Sequence, residues 1–260
     1  MYQVTQIQRE MNSLKGVILA GGTGSRLYPL TKITNKHLLP VGKYPMIYHA
    51  IYKLISCDIR DILIVTGKEH MGDVVSLLGS GHSFGAEFTY RVQDEAGGIA
   101  QALGLAEDFV GKDLVVVVLG DNVFEDDISQ YVKRFQQQRR GAKILIKQVE
   151  DPERYGVPEL DGGRILSIEE KPAKPKSSYA VTGIYMYDSD VFSIIRTLKP
   201  SARGELEITD VNNAYLERGL LTYDILQGWW TDAGTHNSLA RANELAQNIV
   251  YGPPYDNGNL

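Results

Sequence analysis

Residues 114–119 read LVVVVL, six apolar residues in a row, four of them valine, closed by Gly120 and Asp121. β-branched side chains are stiff at χ1 and fit a pleated strand better than a helix. An unbroken apolar run, as opposed to an alternating one, belongs to a strand covered on both faces. Such a strand needs neighbours in a sheet and a layer of helices above and below it. The rest of the chain supplies them. Residues 16–20, 61–67 (DILIVTG), 88–92 and 143–149 (KILIKQV) read as further strands. Residues 45–56 (PMIYHAIYKLIS), 70–78 and 128–138 carry apolar residues at helical spacing between them. This alternation predicts an α/β fold with a Rossmann-like, mostly parallel central sheet flanked by helices.

The pattern changes near residue 150. Short strand-like segments at 164–169 and 179–187 lie among Gly, Pro and Lys, and helical spacing returns near 191–197, 207–217 and 238–248. No repeat, low-complexity block or flexible linker divides the chain. We read 1–13 as a polar N-terminal extension, 14–250 as one domain whose second half packs on the same sheet, and 251–260 (YGPPYDNGNL) as a flexible tail.

The 260 residues include 27 Lys and Arg against 32 Asp and Glu, a net charge of −5, which argues against a nucleic-acid-binding surface. Basic residues in a site then act locally. No stretch approaches the roughly 18–20 apolar residues of a membrane span. The first residues lack the apolar core of a secretion signal. The single cysteine, Cys57, precludes an internal disulfide and reads as a packing residue. A cytoplasmic location is expected.

A second feature needs explanation. The strand at 16–20 runs into Gly21-Gly22-Thr23-Gly24-Ser25, followed at once by Arg26 and soon by Lys36. Glycines let backbone N–H groups approach phosphate oxygens, and the carboxyl edge of an open α/β sheet is where ligands bind. The dinucleotide pattern GxGxxG fails, because Leu27 stands where its third glycine belongs and Thr66-Gly67 stand where its acidic residue belongs. No window matches the P-loop GxxxxGK[ST]. A plain glycine turn leaves the nearby cations without a purpose. On local grounds, a phosphate-binding loop of another kind is expected.

The segment GGTGSRLYPLTKITNKHLLPVGKYPMIYHAI resembles the opening signature of the sugar-phosphate nucleotidylyltransferases. The resemblance continues in order through YRVQDEAGGIAQAL, VVVVLGDNVF, DPERYGVPELDGGRILSIEEKP, PKSSYAVTGIYMYD, SARGELEITDVNNAYLERG and WWTDAGTH, and so covers residues 14–247. It implies nucleotidyl transfer from dTTP to α-D-glucose 1-phosphate, giving dTDP-glucose and pyrophosphate. The product feeds deoxysugars such as rhamnose for surface polysaccharide. It also implies a nucleotide-binding half at about 14–150, a sugar-binding half at about 151–250, and a homo-oligomer. Uracil differs from thymine by one methyl, worth about 1–3 kcal/mol of discrimination. Uridylyl transfer therefore stays open, as does an inactive nucleotide-sugar sensor.

The nucleophile of this reaction is already an anion, so positioning and electrostatics must carry the chemistry. By the resemblance, Gly21, Gly22, Thr23, Gly24 and Ser25 seat the triphosphate, Arg26 grips the leaving pyrophosphate, and Lys36 contacts phosphate. Gln93 reads the base edge, with Gly98 beside it. Asp121 touches the nucleotide and, with Asp232, ligates Mg²⁺. Read locally, Asp121 could also cap a following helix. Gly156, Glu170, Lys171, Val181 and Arg203 line the sugar phosphate. Trp229 and Trp230 read as packing residues near Asp232. Three departures stand out: QDEAGGIAQA lacks the prolines common there, Asn35 and His37 flank Lys36 where Ser and Gln are commoner, and the chain ends soon after Asn248. By the resemblance, longer members carry further C-terminal helices that form an oligomer interface and a regulatory nucleotide site, and feedback regulation of that type is not expected here.

Overall fold

The computed structural model describes residues 13–252. Apart from Ser13, Tyr251 and Gly252, the N-terminal extension and the tail lie outside the described residues.

Seven strands form the central sheet. They are β1 (Leu14–Ala20), β4 (Asp61–Gly67), β5 (Glu87–Gln93), β6 (Leu114–Leu119), β8 (Ala142–Gln148), β11 (Tyr179–Tyr187) and β12 (Leu221–Ile225), in the spatial order β12-β8-β11-β6-β1-β4-β5. Every pairing is parallel except those of β11, which runs antiparallel to both β6 and β8. The sheet is therefore mostly parallel, and strands from both halves of the chain share it. Smaller ribbons flank it: β2 (Pro40–Val41) with β3 (Tyr44–Pro45), β7 (Asn122–Phe124) with β13 (Trp230–Asp232), and β9 (Gly156–Asp161) with β10 (Arg164–Glu170).

The period of two along each strand sorts side chains into two cores. Val17, Leu19, Val115 and Val117 face one way, towards helices α3 (Ile99–Gly104), α6 (Asp190–Ile195) and α7 (Ile208–Glu217). Ile18, Ala20, Val116 and Val118 face the other, towards α1 (Met46–Ser56), α2 (Met71–Leu78) and α5 (Ser129–Gln138). The LVVVVL run is apolar throughout because both of its faces are covered. Short α4 (Glu107–Val110) leads into β6. The last helix, α8 (His236–Ala246), packs Leu239, Ala242 and Ala246 on Leu27 and Leu39 of the loop after β1 and on Val41 of β2.

The expected elements recur with shifts of a residue or two. The last helix begins at His236, two residues ahead of the expected start. Thr235 accepts from the Ser238 N–H while Ser238 Oγ accepts from the Thr235 N–H, a reciprocal cap. Several elements have no counterpart in the sequence reading, among them the short ribbon strands β2, β3, β7, β9 and β13, helices α3 and α4, and strand β12. Helices α3 and α4 are too short for a helical period to register. Strand β12 is an edge strand whose partner, β8, lies far away in the chain, and its Asp224 accepts from Lys143 at 2.9 Å. Among the described residues, no helix is long and apolar enough to cross a membrane.

Ile18 is fully buried in the middle of the sheet. Ile18→Ala should cost about 2–5 kcal/mol, since the packed helices on that face cannot fully collapse into the space left. Urea unfolding should give a lower midpoint at an unchanged slope.

Candidate active site

The chain leaves β1 for β4 and β5 on one side, then returns to β6 on the other. Crossovers that diverge in this way leave a crevice beyond the carboxyl ends of the two strands at the switch point. β1 and β6 pair in parallel register up to Leu19 opposite Leu119, and the Gly120 N–H donates to Leu19 O at 2.9 Å. The glycine loop and Asp121 thus emerge side by side.

Gly22 and Gly24 have φ of +92° and +62°, left-handed backbone that L side chains rarely adopt. Thr31 Oγ1 holds the Gly24 carbonyl at 2.7 Å. Gly21 is small for another reason: an added Cβ would lie 2.4 Å from Gln93 Oε1. Gln93, at the end of β5, donates to Gln101 Oε1 at 2.6 Å and to Gly98 O at 3.4 Å. Gly21, Gln93 and Gly98 therefore form one end of the crevice. Thr23, Ser25 and Arg26 are exposed on the loop. The Arg26 guanidinium reaches the backbone of Gly234, where an added Cβ would sit 3.1 Å from Arg26 Nη2 and 3.4 Å from Asp232 Oδ2.

Lys36 opens a 3₁₀ turn, Lys36–Leu38, capped by the Asn35 side chain. Its Nζ lies 2.5 Å from Asp121 Oδ2. Asn122 Nδ2 donates to the other oxygen of Asp121 at 3.0 Å. Asn122 Oδ1 in turn accepts from the Gly183 N–H and from Trp230 Nε1, at 2.9 and 2.7 Å. Burial alone would push the Asp121 carboxyl up. The Lys36 ammonium, His37 and the hydrogen bonds of Lys36 and Asn122 outweigh it and hold the group well below the usual carboxylate range. β7 follows Asp121, so Asp121 caps no helix.

The β7–β13 ribbon brings in the second carboxylate. Asp232 pairs with Asn122, and the Ala233 N–H donates to Asp121 O at 2.8 Å. Tyr155 Oη donates to Asp232 Oδ1 at 2.9 Å, and Arg154 Nη2 lies 3.3 Å from the same oxygen. Burial and the Asp121 charge push the Asp232 carboxyl above its usual range, against Arg154, Tyr155 and Arg26. Among the described residues no cluster of three or more His, Cys, Asp or Glu could hold a metal. The donor set here is two neighbouring carboxylates that repel each other, which a divalent cation completed by phosphate oxygens would relieve.

The β9–β10 hairpin carries the remaining expected residues. Glu170 Oε2 accepts from Thr209 Oγ1 at 2.6 Å, and Gly156 lies against both groups. Arg203 grips Glu207 through both oxygens, at 2.8 and 2.9 Å, and reaches Glu170 Oε1 at 3.4 Å. Lys171, exposed, lies 3.8 Å from Glu170. Val181 does not join this polar group; its side chain is buried in the core. Trp230 is buried and meets the Tyr155 ring edge-on at 5.2 Å between centroids.

The structure thus joins Arg26, Lys36, Asp121 and Asp232 in one charged cluster, with Gln93 and Gly98 at one end and Glu170, Lys171 and Arg203 on a neighbouring wall. Arg154, Tyr155, Asn122, Glu207 and Thr209 were not singled out by the sequence reading. All five lie inside segments quoted above, and Asn122 and Tyr155 directly adjoin residues that were.

His37 is 1% exposed, and burial and then Lys36 pull its imidazole down to about 3 from 6.5, against the opposing charge of Asp121. The unfolded chain binds this proton below about pH 6.5, whereas the folded chain refuses it until about pH 3. The stability that the neutral ring contributes is complete above that upper value and drains as pH falls through the window. The urea midpoint should drop between about pH 7 and pH 5, and His37→Gln should flatten that drop.

A family model described as nucleotidyl transferase matches residues 15–248. Curated relatives include a glucose-1-phosphate thymidylyltransferase of Neisseria meningitidis, 48% identical over 91% of this chain and 83% of its own, and one of Mycobacterium tuberculosis, 44% identical over the same shares. A solved Bacillus anthracis structure, described as a glucose-1-phosphate thymidylyltransferase in complex with sucrose, is 70% identical at a TM-score of 0.91, covering 94% of this chain and 99% of that one. A UDP-glucose pyrophosphorylase solved with UDP-glucose is 25% identical at a TM-score of 0.79, over 89% and 98%. With sequence, family model and fold in agreement along nearly its whole described length, the chain belongs to the nucleotidyl transferase family.

Proposed function

We propose that this chain transfers a thymidylyl group from dTTP to α-D-glucose 1-phosphate, giving dTDP-glucose and pyrophosphate, with residues 14–250 acting as one unit. The observation that carries the reading is the meeting of Arg26, Lys36, Asp121 and Asp232 beside the glycine loop. A sensor without catalysis has no use for all four. The names of the curated relatives support these substrates.

A phosphate oxygen of the sugar attacks the α-phosphorus; that P–O bond forms as the bond to the pyrophosphate oxygen breaks. Two anions must meet, and charge grows on the leaving group. Gly21–Ser25 seat the triphosphate and Arg26 steadies the departing pyrophosphate. Lys36, whose Nζ lies 2.5 Å from Asp121, turns its ammonium to a phosphate in this reading. Gln93 and Gly98 hold the base. Gly156, Glu170, Lys171 and Arg203 receive the sugar phosphate, with Val181, its side chain in the core, beneath them in this reading. Asp121 and Asp232 would hold Mg²⁺, which when bound neutralises charge on the triphosphate. A homo-oligomer in the cytoplasm completes this reading.

Lys36→Ala and Asp121→Asn should each lower kcat by about 10²–10³, because each removes a preorganised charge from the reacting phosphates. Pyrophosphate release by variants with unchanged circular-dichroism melts measures this; near-normal turnover rejects the assignment. With dTTP and UTP offered together alongside glucose 1-phosphate, the dTDP-sugar should dominate. A product mixture rich in UDP-glucose would transfer the reading to a uridylyltransferase.

A further inference from the structure

Lys36 sits on a long, flexible side chain in an irregular loop, and its usefulness depends on where its backbone is held. The two residues beside it are among the few polar groups buried in this region, with Asn35 7% and His37 1% exposed. The Asn35 carboxamide has one defined orientation. Its Oδ1 meets two donors, the His37 N–H at 2.9 Å and His37 Nδ1 at 2.7 Å. Its Nδ2 meets two acceptors, Thr66 Oγ1 at 3.3 Å and Ala20 O at 3.5 Å. Flipping the amide would set like against like on both sides. The imidazole therefore carries its proton on Nδ1, and its other edge packs on Gly120, where an added Cβ would lie 2.8 Å from His37 Cδ2.

Ala20 ends β1, Thr66 lies at the end of β4, and Gly120 follows β6. These strands are adjacent in the sheet. The tripeptide Asn35-Lys36-His37 is thus tied to three neighbouring strand ends, and Lys36 is the middle residue of the tie.

We propose that Asn35 and His37 are positioning residues that act through Lys36, as one hydrogen-bonded clamp setting the ammonium against Asp121 and the incoming phosphate. The proposal rests on the catalytic reading of Lys36 given above. Neither residue needs to touch substrate. The clamp is demanding: Asn35→Asp keeps the shape but points a second oxygen at Ala20 O, and His37→Phe keeps a ring against Gly120 but leaves Asn35 Oδ1 one donor short. A misplacement of a charged group by about 1 Å can cost on the order of a hundredfold in rate.

The test is a mutant cycle read by steady-state pyrophosphate release, with thermal melts as the control for folding. Asn35→Asp and His37→Phe should each lower kcat by about tenfold to a hundredfold while the KM for dTTP changes by less than about threefold. The double variant should be no slower than the slower single one, because both break one device. In the Lys36→Ala background, the same substitutions should cost nothing further. Should Asn35→Asp fail to fold, Thr66→Val removes one of its acceptors, and kcat should still fall, by about twofold to fivefold, in the native background only. Equal losses with and without Lys36 would overturn the clamp, as would multiplying losses in the double variant or an effect confined to KM. If Lys36→Ala itself turned over normally, the catalytic reading of Lys36 would fail and the clamp with it. A slow Lys36→Ala beside an undisturbed Asn35→Asp would reject the clamp alone.

Discussion

Parallel pairing of β1 with β6 is the constraint on which the site depends. It ends both strands at one level, so the glycine loop and Asp121 leave the sheet together. The strands are apolar on both faces, and helices cover both. Polar groups at this level can lie only beyond the strand ends, where the divergent crossovers leave space. The ligand crevice therefore follows from burying the strands. It needs no separate excavation.

Within that crevice, charge is arranged in opposing pairs. Lys36 and Asn122 stabilise the ionised Asp121, whereas Asp232 lies near that negative charge and its own carboxyl is raised. Arg26 and Arg154 approach Asp232 from different elements. Removing any one member would leave a partly buried charge without its counterpart, which costs more than the pair itself contributes. The β7–β13 ribbon, only three residues in each strand, carries the second carboxylate to the first, and the Asn122 amide ties Asp121 to both β11 and Trp230.

Much of this was legible locally. LVVVVL announced a strand buried on both faces, and Gly21–Ser25 with Arg26 announced an anion. The long helices α1, α5 and α7 were visible through their apolar spacing. Elements whose identity depends on distant partners were not. β12 is a strand because β8 accepts it, and α3 is a helix because it packs on the sheet beside β1. Arg154 and Tyr155 carry no local sign that they would reach Asp232, more than 70 residues away. The side chain of Val181 lies in the core because β11 is covered on both faces.

The amino-acid sequence by itself determined the α/β class, the phosphate loop and the kinds of charge the site would use. Those follow from periodicity, from backbone freedom and from residue type, all of which act over a few neighbours. The tertiary structure decided which carboxylate stands beside which, that Lys36 meets Asp121, and that Asn35 and His37 lock to three strand ends. Those relations arise only when segments far apart in the chain are brought within hydrogen-bonding reach, and the strength of each depends on the water excluded when they meet.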